Sequence, residues 1–456
     1  MATSPETIVE QRSAAPQRAD SSLSWGRYPR VQHRAIHKAT WTDELPRFLS
    51  GADTGSLLPH GLGRSYGDSC LNDGRDLVDC SRLTRFQSFD AERGVLRCES
   101  GVSLAEVLEL AIPKGWFLPV TPGTRFVTVG GAIANDVHGK NHHRAGTFGH
   151  HVRKMAIYRS DYGLVMCSPE ENSDLFRATI GGLGLTGIIA WAEIQLRRIW
   201  SSRIDAETIP YRSLAEFQRL SSESDEAFEY TVAWIDCFSG ASPRGIFFRG
   251  NHDKKPNLEV RNKLGPTVPF VLPGWMLNRY TMKAFNNVYY GLKSTGRKAA
   301  LAPYDSFFYP LDGIGRWNLI YGKQGFLQYQ CVVPETASGV IEELLRLIAD
   351  SGMGSFLGVL KRFGAAPPAG LLSFPRQGLT LALDFAMRGE ATLRLMEALD
   401  RVVLSCGGAL YPAKDARMSA PMFDVSFPEW RTFATYIDPK LSSSFWRRVT
   451  EKNEKS

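Results

Sequence analysis

Three glycine-rich segments in this 456-residue chain could bring the main chain close to a ligand. The first, HGLGRSYGD at residues 60–68, has three glycines that allow a tight bend and present N–H groups to phosphate oxygens. The second, at 122–136, contains the run GGAIA, whose small side chains would let a flat group lie against the backbone. Either segment could instead be an ordinary surface turn.

The third segment, GLGLTG at 182–187, matches the GxGxxG pattern of dinucleotide-binding folds. That pattern binds a dinucleotide where it follows a strand and opens a helix. Here a predicted helix near 174–179 precedes it and the strand IIAWAEIQL at 188–196 follows it. Because the order is reversed, we interpret these glycines as a turn with its backbone near a cofactor.

Five of the nine histidines lie between positions 138 and 151, which raises the question of a metal site. His138 and His142 have i,i+4 spacing, but Gly139 weakens a helix there and no carboxylate stands between them as in HExxH. We therefore expect no metal and a polar, proton-handling site lined by histidine. The seven scattered cysteines form no CxxC pair and favour a reducing compartment.

The elements that must position these residues fall into two halves. Up to about residue 200, short strands such as GVLRCES at 94–100 alternate with helices, one of which opens at a capping box of Ser103 and Glu106. From 326 to 411 the order is strand, helix, strand, strand, helix, strand, which is the ferredoxin-like arrangement. The predicted strands are 326–333, 355–361, 379–385 and 409–411, and the helices are 338–352 and 391–406. We find no internal repeat.

Positive charge is concentrated in residues 249–298, which hold ten basic and two acidic residues in a chain of formal net charge +7. Within this segment, the uncharged run at 264–278 contains three prolines, which exclude a regular helix. The segment is either a packed linker with a solvated basic surface or a flexible, membrane-facing entrance that binds anionic lipid. No recognition-helix or base-stacking pattern accompanies the charge, so we expect no nucleic-acid partner.

Composition excludes two other classes of protein. Hydrophobic residues make up 43% and charged residues 22% of the chain, as in globular proteins and unlike disordered ones. No apolar run is long enough for a membrane-spanning helix, and the N-terminus lacks the apolar core of a signal peptide. We expect a cytoplasmic protein, or one peripheral to the inner or plasma membrane. A location on the periplasmic side of that membrane stays open as an alternative.

Together and in this order, the segments resemble the vanillyl-alcohol-oxidase superfamily, whose PCMH-type domain binds FAD. The closest likeness is to the decaprenylphosphoryl-β-D-ribose 2′-oxidase family, through AWID (233–236), FYPLDGIGRWN (308–318), GFLQYQ (325–330) and YPAKDAR (411–417). The resemblance covers essentially everything after residue 24.

The resemblance implies a two-domain α+β fold. Its expected parts are a disordered tail at 1–24, an FAD-binding domain at 25–200, a substrate domain at 201–408 and a C-terminal return to the FAD domain at 409–456. The substrate domain would contain the ferredoxin-like core, with an antiparallel sheet backed by helices, and the flexible segment at 249–298.

FAD would be bound non-covalently, because Tyr66 stands where covalent relatives have a histidine that attaches to the flavin. The implied FAD-binding residues are Pro59, His60, Gly61, Leu62, Gly63, Arg64, Ser65, Tyr66, Gly67, Asp68, Ser69, Gly123, Thr128, Val129, Gly130, Gly131, Asn135, Asp136, Val137, His138, Ile189 and Tyr411.

The resemblance implies oxidation of the C2′ hydroxyl of a polyprenyl-phosphoryl-β-D-ribose. A short-chain NAD(P)H-dependent 2-keto reductase would then complete the epimerisation to the lipid-linked arabinose donor for cell-wall glycans. Lys361 and Lys414 could hold the phosphate and favour the alkoxide, and His138 or a lysine of lowered pKa could accept the proton; the sequence does not choose. The other implied substrate residues are Lys140, Trp234, Phe308, Gln328, Gln330 and Asp384.

Two positions depart from the family. Ala382 stands where the best-known drug-target member has a cysteine, and Phe308 stands where the family has a tyrosine hydroxyl. Two other functions stay open. The chain could be an aldonolactone or alditol oxidase that acts on a soluble sugar, or a flavin-binding subunit without turnover.

Overall fold

The computed structural model describes residues 23–240, 243–261 and 265–451. All but the last two residues of the expected tail at 1–24 lie outside the described residues. The described chain forms two units, joined side by side, and a C-terminal segment that packs against both.

The first unit is built on two main sheets. Its strands are β1 (Ile36–Lys38), β2 (Leu57–His60), β3 (Asp76–Asp79), β4 (Phe86–Asp90), β5 (Val95–Glu99), β6 (Trp116–Phe117), β7 (Val152–Arg159), β8 (Gly163–Cys167), β9 (Ile188–Gln195) and β10 (Arg197–Arg198). A parallel sheet has the order β1-β3-β2, and an antiparallel sheet has the order β4-β5-β9-β7-β8. The short strands β6 and β10 pair with each other.

Five helices connect these strands: α1 (Leu45–Ser50), α2 (Leu104–Ala111), α3 (Val129–Ala134), α4 (His142–Ala145) and α5 (Ser173–Thr179). The predicted capping box opens α2, because Ser103 Oγ accepts from Glu106 N–H and the Glu106 carboxylate accepts from Ser103 N–H. α3 opens at Thr128, whose hydroxyl accepts from Gly131 N–H. The glycine-rich run at 129–134 is therefore held as a short helix.

The second unit contains one eight-stranded antiparallel sheet. Its elements are β11 (Arg203–Tyr211), α6 (Leu214–Ser224), β12 (Tyr230–Ile235), β13 (Gly245–His252), α7 (Arg279–Lys293), β14 (Lys298–Pro303), α8 (Tyr304–Phe308), β15 (Phe326–Val333), α9 (Gly339–Ser351), β16 (Gly358–Phe363), β17 (Gly378–Ala386), α10 (Glu390–Ser405) and β18 (Ala409–Leu410). The strand order is β14-β11-β13-β12-β16-β17-β15-β18.

The predicted ferredoxin-like core is confirmed, and the expectation of no internal repeat is wrong. Strands β15 to β18 with helices α9 and α10 have the expected order of elements and the ferredoxin-like sheet order. Strands β11 to β14 with α6 and α7 repeat that order, and the two copies meet through β12 and β16. The insertion of residues 253–278 before α7 hides the repeat in the sequence.

Two large hydrophobic clusters fill most of the interior. The larger one packs Phe217 of α6, Leu344 of α9 and Leu399 of α10 against the eight-stranded sheet. The smaller one packs Leu108 of α2 and Ile133 of α3 against the five-stranded sheet. A third cluster packs Leu45 and Leu49 of α1 against the other face of the five-stranded sheet.

The C-terminal segment holds α11 (Ala420–Ser426), α12 (Trp430–Ala434) and α13 (Ser444–Thr450). It returns to the first unit, where Ser442 N–H donates to the Leu57 carbonyl beside β2. Arg448 of α13 forms ion pairs with the buried carboxylates of Asp68 and Asp415. The last helix is thus tied to the loop that follows β2.

The basic segment contains regular elements. The only helical turn in the described part of the proline-rich run is a 3-10 turn at Gly274–Met276, and α7 follows it. α7 buries only Met282 and Asn286, whereas its counterpart α10 buries five side chains. Arg249 is not part of the charged surface, because it is buried in an ion pair with Glu207.

Candidate active site

A cavity of about 1070 Å³ lies between the two units. One wall comes from the loop after β2, from residues 121–140 and from the turn before β9. The opposite wall comes from strands β15, β16 and β17 and from residues 308–319. One space therefore joins the glycine-rich segments to the polar residues of the ferredoxin-like core.

The loop after β2 can follow its path only with glycine at particular places. A Cβ on Gly61 would lie 2.6 Å from Thr128 Oγ1, and a Cβ on Gly67 would lie 1.7 Å from the Asp415 carbonyl oxygen. Gly63 has φ +62°, in the left-handed region that favours glycine. Tyr66 N–H donates to the Ala413 carbonyl, which fixes the end of the loop.

Two serines in this wall of the cavity have no hydrogen-bond partner among the described residues. Ser69 Oγ and Ser100 Oγ are both buried, and both residues line the cavity. A buried hydroxyl without a partner costs free energy, so the site suits a ligand that carries hydrogen-bonding groups. Gly130 lies directly on Ser100, since a Cβ there would meet Ser100 Cβ at 2.9 Å. A cradle of glycines with unpaired hydroxyls fits the phosphates and hydroxyls of FAD.

Four residues expected to bind FAD do not line the cavity. Val129 is packed in the smaller core, and Gly67 lies against the Asp415 backbone. The Asp68 carboxylate is held by Arg448. The Asp136 carboxylate accepts from Gly149 N–H and Ser373 Oγ–H. The other expected FAD-binding residues, namely Pro59 to Tyr66, Ser69, Gly123, Thr128, Gly130, Gly131, Asn135, Val137, His138, Ile189 and Tyr411, line the cavity.

Three lysines line the same cavity. Burial lowers the pKa of Lys140 to about 8 and, together with the charges of the other two lysines, lowers the pKa of Lys361 to about 7. Burial also lowers the pKa of Lys414, whose ammonium group lies 3.8 Å from the centre of the Tyr66 ring. A ligand with negative charge would stabilise the charged form of all three.

His138 is held at both ring nitrogens. Lys361 Nζ lies 3.1 Å from Nδ1, and the Gln330 side-chain amide lies 2.9 Å from Nε2. The Gln330 atom at this position is the amide nitrogen, which donates to His138 Nε2, so a neutral ring carries its one N–H on Nδ1, towards Lys361 Nζ. The same Gln330 amide nitrogen donates to Thr380 Oγ1 at 3.2 Å. Burial and the Lys361 charge lower the His138 pKa well below its usual range.

Asp384 and Gln328 are paired across β17 and β15. Gln328 Nε2 donates to Asp384 Oδ1 at 2.6 Å, whereas Asp384 Oδ2 has no hydrogen-bond partner within the described chain. Burial raises the pKa of this carboxyl, and the nearby charge of Lys414 lowers it. Asp384 is 1% exposed and lines the cavity, and its Oδ2 atom is buried beside the Tyr321 phenol.

Two expected substrate residues have other surroundings. Trp234 does not line the cavity, because its ring lies 4.8 Å from that of Tyr289 on α7 and its N–H donates to the Phe356 carbonyl. Phe308 reaches the cavity edge but is 1% exposed within an aromatic cluster. The next residue, Tyr309, supplies a hydroxyl, which lies 2.7 Å from Thr121 Oγ1.

The sequence did not predict one part of the wall. Leu23, Ser24, Trp25 and Arg27 line the cavity. The Arg64 guanidinium lies 4.2 Å from the centre of the Trp25 ring, and a Cβ on Gly26 would lie 2.4 Å from the Tyr66 carbonyl oxygen. The expected tail ended just before Trp25, but no local pattern could relate Trp25 to Arg64, which lies in a loop about forty residues away.

The histidines between residues 138 and 151 lie in separate surroundings. In the described ranges, no three His, Cys, Asp or Glu side chains come together as metal ligands. His138 is the member that lines the cavity. His143 and His151 contact the carbonyls of Phe228 and Ala145, so they hold loops in place.

Comparison with known proteins identifies the family. Residues 39–168 match the model of an FAD binding domain. The decaprenylphosphoryl-beta-D-ribose oxidase of Mycolicibacterium smegmatis (strain ATCC 700084 / mc(2)155) is 38% identical over 414 residues, which cover 86% of this chain and 89% of that protein. The chain belongs to the decaprenylphosphoryl-β-D-ribose oxidase family.

Two other relatives match this chain over different shares of its length. An uncharacterized protein of Streptomyces coelicolor, encoded in the mprA 5′ region, is 31% identical over 76% of this chain and 100% of its own. The Delta(24)-sterol reductase of Mus musculus is 31% identical over 31% of this chain and 29% of its own. The protein is an FAD-dependent oxidoreductase with an α+β fold. FAD supplies a hydride acceptor when it is bound.

Proposed function

We propose that this protein oxidises the C2′ hydroxyl of a polyprenyl-phosphoryl-β-D-ribose to a ketone. The observation that carries the proposal is one cavity in which the glycine-rich wall that fits FAD faces a cluster of buried cations and amides. The cluster consists of His138, Lys140, Gln328, Gln330, Lys361, Asp384 and Lys414. The relative named as a decaprenylphosphoryl-β-D-ribose oxidase supports the substrate class.

The lysine cluster supports a substrate with a phosphate. Lys140, Lys361 and Lys414 line one site. Against these three cations, the proposed substrate cluster contains a single carboxylate, that of Asp384. Burial lowers the pKa of all three lysines, and the charges of Lys140 and Lys414 lower the pKa of Lys361 further. A phosphodiester would supply the missing negative charge and hold the sugar in a fixed position.

The cavity also supports an apolar tail. Part of its wall is aliphatic, and these residues are Val271, Leu311, Ile314, Leu319 and Leu357. Val271 belongs to the proline-rich run, which continues into the exposed side chains of Trp275 and Met276. A hydrocarbon chain could leave the site along this run and reach a membrane.

α7 extends the apolar surface beside this run. Tyr280, Ala284, Val288 and Leu292 recur every four residues and are all exposed, so they form one stripe on the solvent side of the helix. Exposed cations stand beside the stripe, among them Lys283 and Lys293. An apolar stripe flanked by cations is typical of a helix that lies on anionic lipid. No helix in the described ranges is long and apolar enough to cross a bilayer.

Non-covalent FAD is part of the proposal. Tyr66 lines the cavity at the end of the first glycine-rich loop, and its ring packs edge-on against Phe326. Burial raises its pKa well above the usual range, so the phenol stays neutral. The flavin should therefore leave the protein when acid unfolds it.

The decisive experiment is anaerobic reduction of the flavin by defined sugars. Polyprenyl-phosphoryl-β-D-ribose should bleach the flavin absorbance, and free ribose, ribitol and aldonolactones should not. Bleaching by the free polyols without need of the lipid tail would instead support an oxidase for soluble sugars. If no sugar bleaches the flavin, and Lys414→Ala changes no measurable activity, the chain is a flavin-binding subunit and the proposal fails.

A reductase should act after this enzyme. The ketone at C2′ has lost its stereochemistry, so reduction from the other face would complete an epimerisation. A short-chain NAD(P)H-dependent 2-keto reductase has the required chemistry. Adding such an enzyme with NADPH should convert the lipid-linked ribose to the arabinose epimer, and either enzyme alone should not.

A further inference from the structure

Oxidation of the C2′ hydroxyl needs a group that accepts the hydroxyl proton, and this inference rests on the proposed function. Such a group must reach the cavity, have a free lone pair and change its protonation near the working pH. Asp384 meets the first two conditions by geometry. It lines the cavity, and its Oδ2 atom has no hydrogen-bond partner in the described structure.

The orientation of Asp384 is fixed by its neighbours. Its backbone N–H donates to Ser355 Oγ, and Gln328 Nε2 donates to Oδ1 at 2.6 Å. The Gln328 bond holds Oδ1, whereas Oδ2 is buried beside the Tyr321 phenol and has no partner within hydrogen-bond distance in the described structure. Asp384 also lies two residues from Ala382 on β17, and both residues line the cavity.

His138 is a poorer acceptor. Its Nδ1 faces Lys361 and its Nε2 faces Gln330, so a substrate hydroxyl would have to displace one of them. Three neighbouring groups, Lys361, His142 and Lys414, oppose a positive charge on the ring. The lysines are poorer acceptors for the substrate proton if they serve to hold the phosphate as cations.

We propose that Asp384 Oδ2 takes the proton of the C2′ hydroxyl during oxidation. The C2′–H bond breaks and both of its electrons leave with the hydrogen as hydride to FAD, which is reduced. The O–H bond breaks, its proton goes to the Asp384 carboxylate, and its electron pair forms the second bond of the ketone. His138 is then a positioning residue, held neutral between Lys361 and Gln330.

The surroundings of Asp384 suit this role. Burial raises its pKa, which makes its carboxylate a stronger base than an exposed one. The Gln328 amide, the Lys414 charge and the Tyr321 phenol favour the ionised form, so some carboxylate is present near neutral pH. The phenols of Tyr321 and Tyr66 also face Asp384, and burial raises the pKa of both well above the usual range, so neither competes as a base.

The test is the pH profile of flavin reduction in the holoenzyme, measured by anaerobic stopped flow with saturating polyprenyl-phosphoryl-β-D-ribose. The wild-type rate should rise with pH, because deprotonation of Asp384 creates the base. Asp384→Asn should lower the rate by about 100-fold or more and remove this rise. Asp384→Glu should restore the rise, which a merely structural role would not require.

Two further variants test which group causes the rise of the reduction rate with pH. Gln328→Leu should move it to higher pH, because the carboxylate loses a donor that stabilises its charge. His138→Gln should leave it at the same pH, whatever the absolute rate becomes. A rise that survives in Asp384→Asn, or one that disappears in His138→Gln, would overturn the proposal. FAD content of each variant, read from its absorbance, shows whether it is folded.

The proposed function is tested separately by the wild type. If the lipid does not bleach wild-type flavin, the proposed function fails, and the same profile is measured with whichever sugar does. The substrate-free holoenzyme gives a second readout. Its infrared difference spectrum between pH 5.5 and pH 9 should contain a carboxyl band that Asp384→Asn lacks, and identical spectra would overturn the proposal.

Discussion

Ala382 shows how one side chain can change reactivity without changing the site around it. It lies on β17 across from Gln330 on β15 and lines the cavity. A methyl group there offers no nucleophile. Cys70 and Cys80 also line the cavity, but burial raises the pKa of both thiols to about 12, so they stay protonated and unreactive at neutral pH.

Nitroaromatic inhibitors that capture a family cysteine should therefore form no adduct with this chain. Ala382→Cys should create one adduct during turnover, because the new thiol would stand in the cavity beside the flavin wall. Intact-protein mass spectrometry after incubation with substrate and inhibitor measures this. Ala382→Ser is the matched control, since it has similar size and no thiol. An adduct on the wild-type chain would contradict the prediction.

The family resemblance, which rests on local motifs, predicted the polar cluster but not every contact in it. The motifs around His138, Gln328, Gln330 and Lys414 are local, so their pattern could be read in the sequence. Trp234 belongs to such a motif too, yet α7 covers it, and that contact joins residues 55 positions apart. Local patterns do not contain packing between distant segments.

At the scale of elements, α7 carries an exposed apolar stripe, which is unusual on the surface of a folded protein. Its apolar side chains at 280, 288 and 292 are between 61% and 74% exposed. A contiguous exposed apolar patch marks a contact site. The cations beside it would strengthen contact with anionic lipid and leave neutral lipid less affected.

The double variant Lys283→Gln/Lys293→Gln should bind anionic liposomes about 30-fold more weakly than the wild type, since each lysine near an anionic surface contributes about 1 kcal/mol. Lys38→Gln/Lys114→Gln removes the same charge from the first unit and should bind as the wild type does. Liposome sedimentation measures both, with FAD content as the check on folding. Equal binding by all three proteins would mean that the segment is a packed linker with a solvated basic surface and does not bind lipid.

Helices and strands whose start and stop signals both lie in the local sequence were predicted closely. The helix expected at 338–352 is α9, Gly339–Ser351, which ends at Gly352 with φ +68° as a glycine stop requires. The strand expected at 355–361 begins at Gly358 instead. Ser355 Oγ bonds to both the N–H and the carbonyl of Leu357, and this turn delays the strand.

The whole molecule depends on its last helix to complete the cavity wall. Arg448 lies between Asp68, which adjoins the cavity residue Ser69, and Asp415, which adjoins Lys414. The two carboxylates are buried, so loss of the cation would leave them without a counter-charge. The segment therefore joins the flavin wall to the lysine cluster.

Arg448→Met should destabilise the protein by about 3–5 kcal/mol, as the loss of one partner from a buried ion pair does. It should also lower the FAD content, because the loop after β2 loses its anchor. Thermal unfolding and the flavin-to-protein absorbance ratio measure the two effects. Arg431→Met on α12 is the control, since that arginine is exposed and its pairing with Asp424 contributes little. Similar behaviour of both variants would contradict the assigned anchor.

The two ferredoxin-like copies in the second unit bear on how that unit evolved. Two copies with the same order of strands and helices, joined through equivalent strands, are what duplication and fusion of one ancestral module would produce. The later copy carries Gln328, Lys361 and Asp384, while the earlier copy carries the uncovered helix α7. The proposed chemistry and the proposed surface attachment thus lie on different copies of one unit, so each copy could change its sequence while the other was preserved.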